Sequence, residues 1–561
     1  MNWIAVPELA CFWDGGLFLR TKTHHLDQIA LTRGLSVSLG AVRVAVRVAG
    51  RVAGRVLLEN DNVGVFDRTS ESELTVTDLS NSITDLTAIS LSEQLRSGEL
   101  SAREVMNAYL DRIDEANPRH NALVNVADRE TLMAEAGRKD DALVRATRNG
   151  EPVGWMHAMP QAIKDLADAE GFITTMGSPI MRNNVATSDS LMVARMKAAG
   201  CIVIGKSNAP EFGLGSHTFN EVFGLTPNAY DHTKSAGGSS GGAAVALATH
   251  MLPVADGSDY GGSLRNPAGW NNVFGFRPSQ GRVPTWPSNE VFVSQLATSG
   301  PMGRTVTDVA HLLQVQAGFD SRSPLSLATD TRFDVDLGAR RAVAEAVPRI
   351  GWLGDLGGYL PMEPGVVEVC ESGLGRFVTQ GYDVESVALG YPPEKLWDAW
   401  RVWRGCLAGS SVRPFMNDPA QRALVKPEAQ WEFEEGRRFS AVDFMRASAQ
   451  RTAFFERMLS LFERFDLLAL PTAQVWPFKA TLRWPTSINE TTMDTYHRWM
   501  EVAIYATFAG LPCMSVPVGF NDAGLPMGMQ LIGRPQGDLE VLRHSFVYEE
   551  ASQAVLSRRP G

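Results

Sequence analysis

A chain of 561 residues with 44% apolar and only 20% charged residues is long and apolar enough to bury a substantial core, which excludes a disordered or fibrous protein. Acidic residues outnumber basic ones, 63 to 52, for a formal charge of −11; gripping phosphate takes a clustered basic face, so no nucleic-acid partner is expected. The five cysteines, Cys11, Cys201, Cys370, Cys406 and Cys513, show neither CxxC pairs nor His-rich spacing, so neither disulfides nor a metal site is expected and a reducing cytoplasm is the expected compartment.

The N-terminus has no basic region followed by an apolar stretch and a cleavage site, and no apolar run reaches the roughly 18 residues a membrane span needs, so neither signal peptide nor membrane contact is expected. Residues 1 to about 80 read as an extension, poorly ordered: Val42 to Val56 is low-complexity, and Asn60 to Asp85 is polar without a period. Arg43, Arg47, Arg51 and Arg55 would share one helical face and could touch an anionic surface, but a mobile tail or a start codon placed too far upstream is the preferred reading.

Regular structure begins near Asp85. Ser101 and Glu104 form a capping box opening a helix with Val105, Tyr109, Leu110 and Ile113 on one stripe, expected to end at Asn117-Pro118. Further on, amphipathic stretches such as Leu191 to Ala199 alternate with short apolar runs such as Cys201–Ile204 and Leu467–Leu470, the pattern of an α/β fold. Nothing divides residues 85 to 555 into independent domains, although about 320 to 460 reads as a helix-rich insertion. Trp397, Trp400 and Trp403 within it recur at three-residue spacing; core packing or a subunit contact is preferred over a substrate wall, and a homodimer stays open.

The chemistry concentrates between Ala236 and Ser279. Gly237, Gly238, Gly241 and Gly242 flank Ser239-Ser240, and Gly261-Gly262 precede Ser263, so two serine sites are presented on backbone free of Cβ obstruction. A single such stretch would be an ordinary flexible turn; two, separated by the helix-forming AAVALA, are harder to explain that way.

These segments, GGSSGG at 237–242, GSDYGGSLRNPA at 257–268 and FGFRPS at 274–279, resemble the glycine- and serine-rich stretch of the amidase signature family. The resemblance reaches upstream to Met159–Asp165, Gly205–Asn208 and Pro210–Phe212, and downstream to Ala509–Pro512, Pro517 and Leu525–Gly533, covering roughly residues 85 to 550. It implies a large mixed, twisted central β-sheet sandwiched by helices, and an amidase that needs no cofactor. Carried over by position, it implies that Ser263 is the nucleophile, Ser239 a bridging serine held by a cis peptide and Lys164 the base. The amides of Tyr260, Gly261, Gly262 and Ser263 would form the oxyanion hole. Ser258 stands where threonine is common, Arg277 and Ser279 where lysine and threonine are frequent, and Tyr260 puts a bulky ring in the oxyanion loop.

Hydrolysing an amide takes a nucleophile, a group that moves its proton, and donors for the developing oxyanion. A lysine with an ordinary pKa of about 10.4 is neutral in only about one molecule in a thousand near pH 7.4, so the site must depress it, and the apolar flanks Ala162, Ile163 and Leu166 suit a buried amine. Asp165 would oppose that shift and is expected to face away or pair elsewhere. Asp259, Arg265 and Ser240 are expected to support the serines from behind, the first two as a buried ion pair.

Two motifs mislead. Gly200–Ser207 fits the P-loop pattern, but its variable residues form a strand and no helix follows; Gly237–Gly241 fits the nucleophile elbow, but no strand precedes it. His157 and His217 are expected to be structural. The expected reaction is hydrolysis of a small-molecule carboxamide through a seryl acyl-enzyme. The glutaminase subunit of an aminoacyl-tRNA amidotransferase complex is the alternative, and a non-catalytic binding protein the reading from a different class.

Overall fold

The structure is a computed structural model that describes residues 83–561 apart from 329 and 340–346, together with a short pairing near the N-terminus. The chain forms two compact units, Met1–Glu73 and Leu74–Gly561. In the first, Cys11–Trp13 pairs antiparallel with Gly16–Phe18; the low-complexity stretch and its arginine row lie outside the described residues.

The second unit is built on an eight-stranded mixed sheet. Its order is Asp383–Ser386, Arg349–Trp352, Leu467–Pro471, Pro526–Gly533, Cys513–Phe520, Phe274–Arg277, Thr298–Gly303 and Val254–Asp259. The first three strands run parallel and every later pairing is antiparallel. Leu467–Pro471 and Pro526–Gly533 are buried at every position, as strands covered on both faces must be, and helices such as Val366–Thr379 and Asp538–Glu550 pack against this sheet.

A smaller sheet joins Leu123–Val124, Ile202–Ser207 and Pro160–Lys164. Pro160–Lys164 lies beside Val254–Asp259, and Asp256 ties the two strands by accepting from the Lys164 amide at 3.1 Å and from Gln161 Nε2 at 3.2 Å. The two sheets therefore meet between the strand that ends in Lys164 and the strand that leads to Ser263.

Sequence and structure part in two places. The capping box is present, with Ser101 and Glu104 bonded reciprocally, but the helix runs through Pro118 to His120 and stops on Asn121, whose φ is 44°. Pro118 removes the donor to the carbonyl of Asp114, an exposed residue, and the Asn117 side chain accepts from the amides of Ala122 and Leu123, both at 2.9 Å, fixing the exit beyond it. The 320–460 segment is helix-rich but also supplies the edge strand Asp383–Ser386 and its neighbour Arg349–Trp352, so it is part of the sheet. Gly351 hides the second of them from sequence reading: a glycine suggests a break, yet here a Cβ would stand 2.9 Å from Leu468 Cδ2, and glycine lets the neighbouring strand's side chain close in.

Among the described residues no helix is long and apolar enough to cross a membrane.

Candidate active site

Three backbone segments converge on the chemistry. The Pro160–Lys164 strand delivers Lys164; the turn before the buried helix Gly241–Ala248 delivers Ser239 and Ser240; the turn between Val254–Asp259 and the helix Arg265–Trp270 delivers Ser263. The small residues of Gly241–Ala248 let that helix sink into the core. A Cβ on Gly242 would lie 2.4 Å from the Asn208 amide nitrogen and 2.5 Å from the Ala122 carbonyl, a contact only a hydrogen can make. The Gly238–Ser239 peptide is cis. Its surroundings are well bonded: Ser216 Oγ reaches the Gly238 carbonyl at 2.7 Å and Asn266 Oδ1 at 2.6 Å, and Thr218 Oγ1 donates to the Gly237 carbonyl at 2.8 Å.

Lys164 is fully buried, and its Nζ lies 2.8 Å from both Ser239 Oγ and Ser240 Oγ, 3.0 Å from Ser258 Oγ and 3.3 Å from the Ser258 carbonyl. All four partners are neutral oxygens. Burial pulls the amine's pKa from 10.5 down to about 7, with Asp256 and Asp259 opposing from a distance. Asp165 turns to the loop beyond, where it accepts from the Thr175 amide at 3.0 Å, from Thr175 Oγ1 and from the Gly177 amide at 3.3 Å, so it does not neutralise the effect.

Asp259 organises the turn that carries Ser263. Its carboxylate accepts from the Gly262 amide at 2.9 Å and the Leu264 amide at 3.1 Å while pairing with Arg265 at 2.9 and 3.0 Å. Arg277 approaches from Phe274–Arg277, two strands away in the sheet, 3.3 Å from the same carboxylate. Burial would push this carboxyl up, but Arg265 and then Arg277 hold it far below the usual range. Arg265 also reaches the Ala503 carbonyl and Thr507 Oγ1, both at 2.9 Å, and Gln530, which ties the turn to distant segments. Gly262 has φ +99°, in the region that favours glycine.

The four amides of the Tyr260–Ser263 turn are not equally engaged. The Gly262 amide is already committed to Asp259, whereas those of Tyr260, Gly261 and Ser263 have no hydrogen-bond acceptor among the described residues. Ser240 ties the two serine turns together, its amide donating to the Ser263 carbonyl at 3.1 Å. Lys164 bonds Ser239 Oγ, but no hydrogen bond joins Ser239 Oγ to Ser263 Oγ; the contact between the two turns is the one from the Ser240 amide. Ser263 is also the most accessible of the three, 8% exposed against 2% for Ser239 and 1% for Lys164.

Sequence reasoning missed several supports: Ser258, whose hydroxyl and carbonyl both hold Lys164, Asp256, Ser216 and Asn266. Ser258 was legible as the residue standing where threonine is common, since both side chains carry the hydroxyl the lysine uses. The other three follow no local pattern.

The misleading motifs resolve as the residue context suggests. Lys206 of the P-loop look-alike lies inside a strand and donates to the Ala167 carbonyl at 2.5 Å and Thr174 Oγ1 at 3.1 Å. No strand directly precedes Ser239. His217 bonds Ser235 Oγ at 2.7 Å and the Ala480 carbonyl at 3.0 Å, and burial lowers its pKa to about 4, a structural role. The three tryptophans are all buried: Trp397 packs under Arg498, Trp403 against Phe444, and Trp400 alone reaches the loop before Ser263. No cluster of three or more His, Cys, Asp or Glu side chains among the described residues could hold a metal.

The amidase family model matches residues 104–542. An acylamidase of Rhodococcus erythropolis is 32% identical over 472 residues, spanning 83% of this chain and 95% of its own. A glutamyl-tRNA(Gln) amidotransferase subunit of Symbiobacterium thermophilum is 32% identical over 502 residues, spanning 83% and 97%. The crystal structure of a bacterial aryl acylamidase of the amidase signature family superposes with a TM-score of 0.77 at 31% identity, covering 86% of this chain and all of that one. With the family model and these relatives extending across the sheet and all three serine and lysine segments, the chain belongs to the amidase signature family, enzymes that hydrolyse carbon–nitrogen amide bonds.

Proposed function

We propose that this protein hydrolyses a small carboxamide to a carboxylic acid and ammonia or an amine, with Ser263 as nucleophile, Ser239 as proton relay and Lys164 as base. The observation that carries this reading is the buried Lys164 amine, 2.8 Å from Ser239 Oγ, surrounded by neutral oxygens and lowered to a pKa of about 7. An amine that is neutral in a large fraction of molecules near pH 7 can take a proton, and a hydroxyl, which donates and accepts at once, can pass it on.

In the proposed sequence Ser263 Oγ attacks the amide carbon as its proton moves through Ser239 to Lys164. The oxyanion is met by the unpaired amides of the Tyr260–Ser263 turn. The proton returns along the same path to the departing nitrogen, and water then attacks the acyl-enzyme by the reverse relay. The Ser239-to-Ser263 bond that closes the relay would form with substrate bound, since catalytic hydrogen bonds often tighten only in the complex.

A hydrolysis panel of aliphatic, aryl and peptide amides, with Ser263→Ala as control, tests this. Turnover that survives Ser263→Ala refutes the nucleophile assignment. The second reading, a glutamine-hydrolysing component of an amidotransferase, is supported by relatives such as the Symbiobacterium protein. Activity confined to glutamine, or co-purification with a second subunit, would favour it.

A further inference from the structure

The helical segment reaches the loop before Ser263 through a small set of side chains on Pro393–Met416 and Pro427–Gly436. Trp400 stands against Gly261, where a Cβ would lie 3.4 Å from its Cζ2, and meets the Tyr260 ring edge to face at 5.9 Å. Arg404, one turn further along, lies over the Tyr260 ring at 5.4 Å and over Trp400 at 5.9 Å. Its guanidinium is fixed: Nε donates to Glu432 Oε1 and Nη2 to the Tyr496 hydroxyl, each at 2.6 Å, and that hydroxyl donates to the same Glu432 oxygen at 2.6 Å.

Within this surround the Tyr260 hydroxyl, the Trp400 indole N–H and the second Glu432 oxygen, Oε2, are buried without a hydrogen-bond partner. A buried hydroxyl with no partner costs stability, and phenylalanine would fill the same space without that cost. Unsatisfied polar atoms in native structures are explained by a role or by a group that arrives later. Tyr260 itself is only partly buried, and it belongs to the turn whose amides face the substrate carbonyl in the reading above. Its ring therefore starts within a side chain's length of the reacting bond.

We propose that Tyr260, positioned by Arg404, is a specificity-determining residue that selects amides carrying a neutral acceptor oxygen, such as an ether, hydroxyl or carbonyl, on the acyl or amine portion. The inference rests on the turn before Ser263 being the place where the amide is attacked. A neutral acceptor would pair the hydroxyl without adding a charge beside Glu432, which already balances Arg404. Arg404 touches no substrate atom in this scheme; it acts through the ring it holds.

The test compares kcat/KM for pairs of amides that differ only by an ether oxygen in place of a methylene, at several positions. The wild-type enzyme is expected to prefer the oxygen-bearing member of at least one pair by about tenfold, the discrimination one buried hydrogen bond gives. Tyr260→Phe should bring that ratio close to one, whatever its absolute rates, with a thermal midpoint at or above wild type because an unpaired hydroxyl has gone. Arg404→Met should lose the same ratio, and combining the two should lose no more than either alone. Wild-type indifference to every pair overturns the proposal, as does a preference that survives Tyr260→Phe, or a thermal midpoint that falls by several degrees. Fluorophosphonate labelling of Ser263 in each variant separates this failure from that of the nucleophile assignment. Labelled Ser263 with unchanged ratios refutes only the Tyr260 role, whereas hydrolysis without labelling refutes Ser263 and leaves the ratios readable.

Discussion

The fold has taken the solvent away from Lys164 without giving it a carboxylate. If the neutral amine is the base, kcat/KM should climb with pH and level off above about 7; a profile still rising at pH 9 would mean the amine is not depressed. The same shift acts on stability. The unfolded chain holds this proton up to a pKa of about 10.4 while the folded chain releases it near 7, so between those values the unfolded state binds more protons. Stability therefore rises with pH across that window, and the cost of burying the amine is felt in full below about 7. Lys164→Met should raise the urea midpoint measured at pH 6 while lowering turnover about a hundredfold or more. At this scale Lys164, Ser239 and Ser263 were readable because a motif marks each; Ser258 was readable only as a departure, and Tyr260 only as bulk. What Tyr260 and Ser258 touch depends on residues far along the chain.

The turn from Val254–Asp259 into Arg265–Trp270 is held by charge in a place without water. Asp259 and Arg265 are both wholly buried; losing Asp259 would leave Arg265 without a carboxylate, and losing Arg265 would leave Asp259 with only the longer ion pair to Arg277. Arg265→Ala should destabilise by about 3–5 kcal/mol, read as a shift in the denaturant midpoint, and should disorder the turn that presents Ser263. The neighbouring element fails differently. Gly242→Ala drives a methyl into the Asn208 and Ala122 backbone, so it should cost about 1–3 kcal/mol and lower turnover by displacing Ser239 and Ser240 together. Circular dichroism melting with parallel kinetics checks both. Elements with local causes were legible in the residues: the Ser101–Glu104 box placed one helix start, and the apolar runs at 201–204 and 467–470 marked strands. The end of that helix was not, because Asn117 caps it by bonding to the following strand, a contact made only when the strand arrives.

Over the whole molecule, every residue assigned to the chemistry lies in the unit Leu74–Gly561. A chain starting at Leu74 should therefore melt cooperatively and keep the hydrolysis rate of the full chain; a large loss of rate would give the preceding residues a part in the reaction. The segment from about 320 to 460 cannot be removed in the same way. It holds two strands of the central sheet and the Arg404–Glu432 pair behind Tyr260, so its deletion should unfold the protein rather than widen its substrate range.

The sequence by itself determined the α/β class, the family signature that marks Lys164, Ser239 and Ser263 as candidates, and the requirement that a lysine base have a depressed pKa. Those rest on local pattern and on the intrinsic chemistry of each residue type, which do not depend on distant contacts. Only the tertiary structure decided that Asp259 claims the Gly262 amide, that Trp400 and not its two neighbours reaches the serine loop, and that Arg404 from a remote helix rests on Tyr260. Each of these is a meeting of segments far apart in the chain, fixed by burial and packing, which no single stretch of residues encodes.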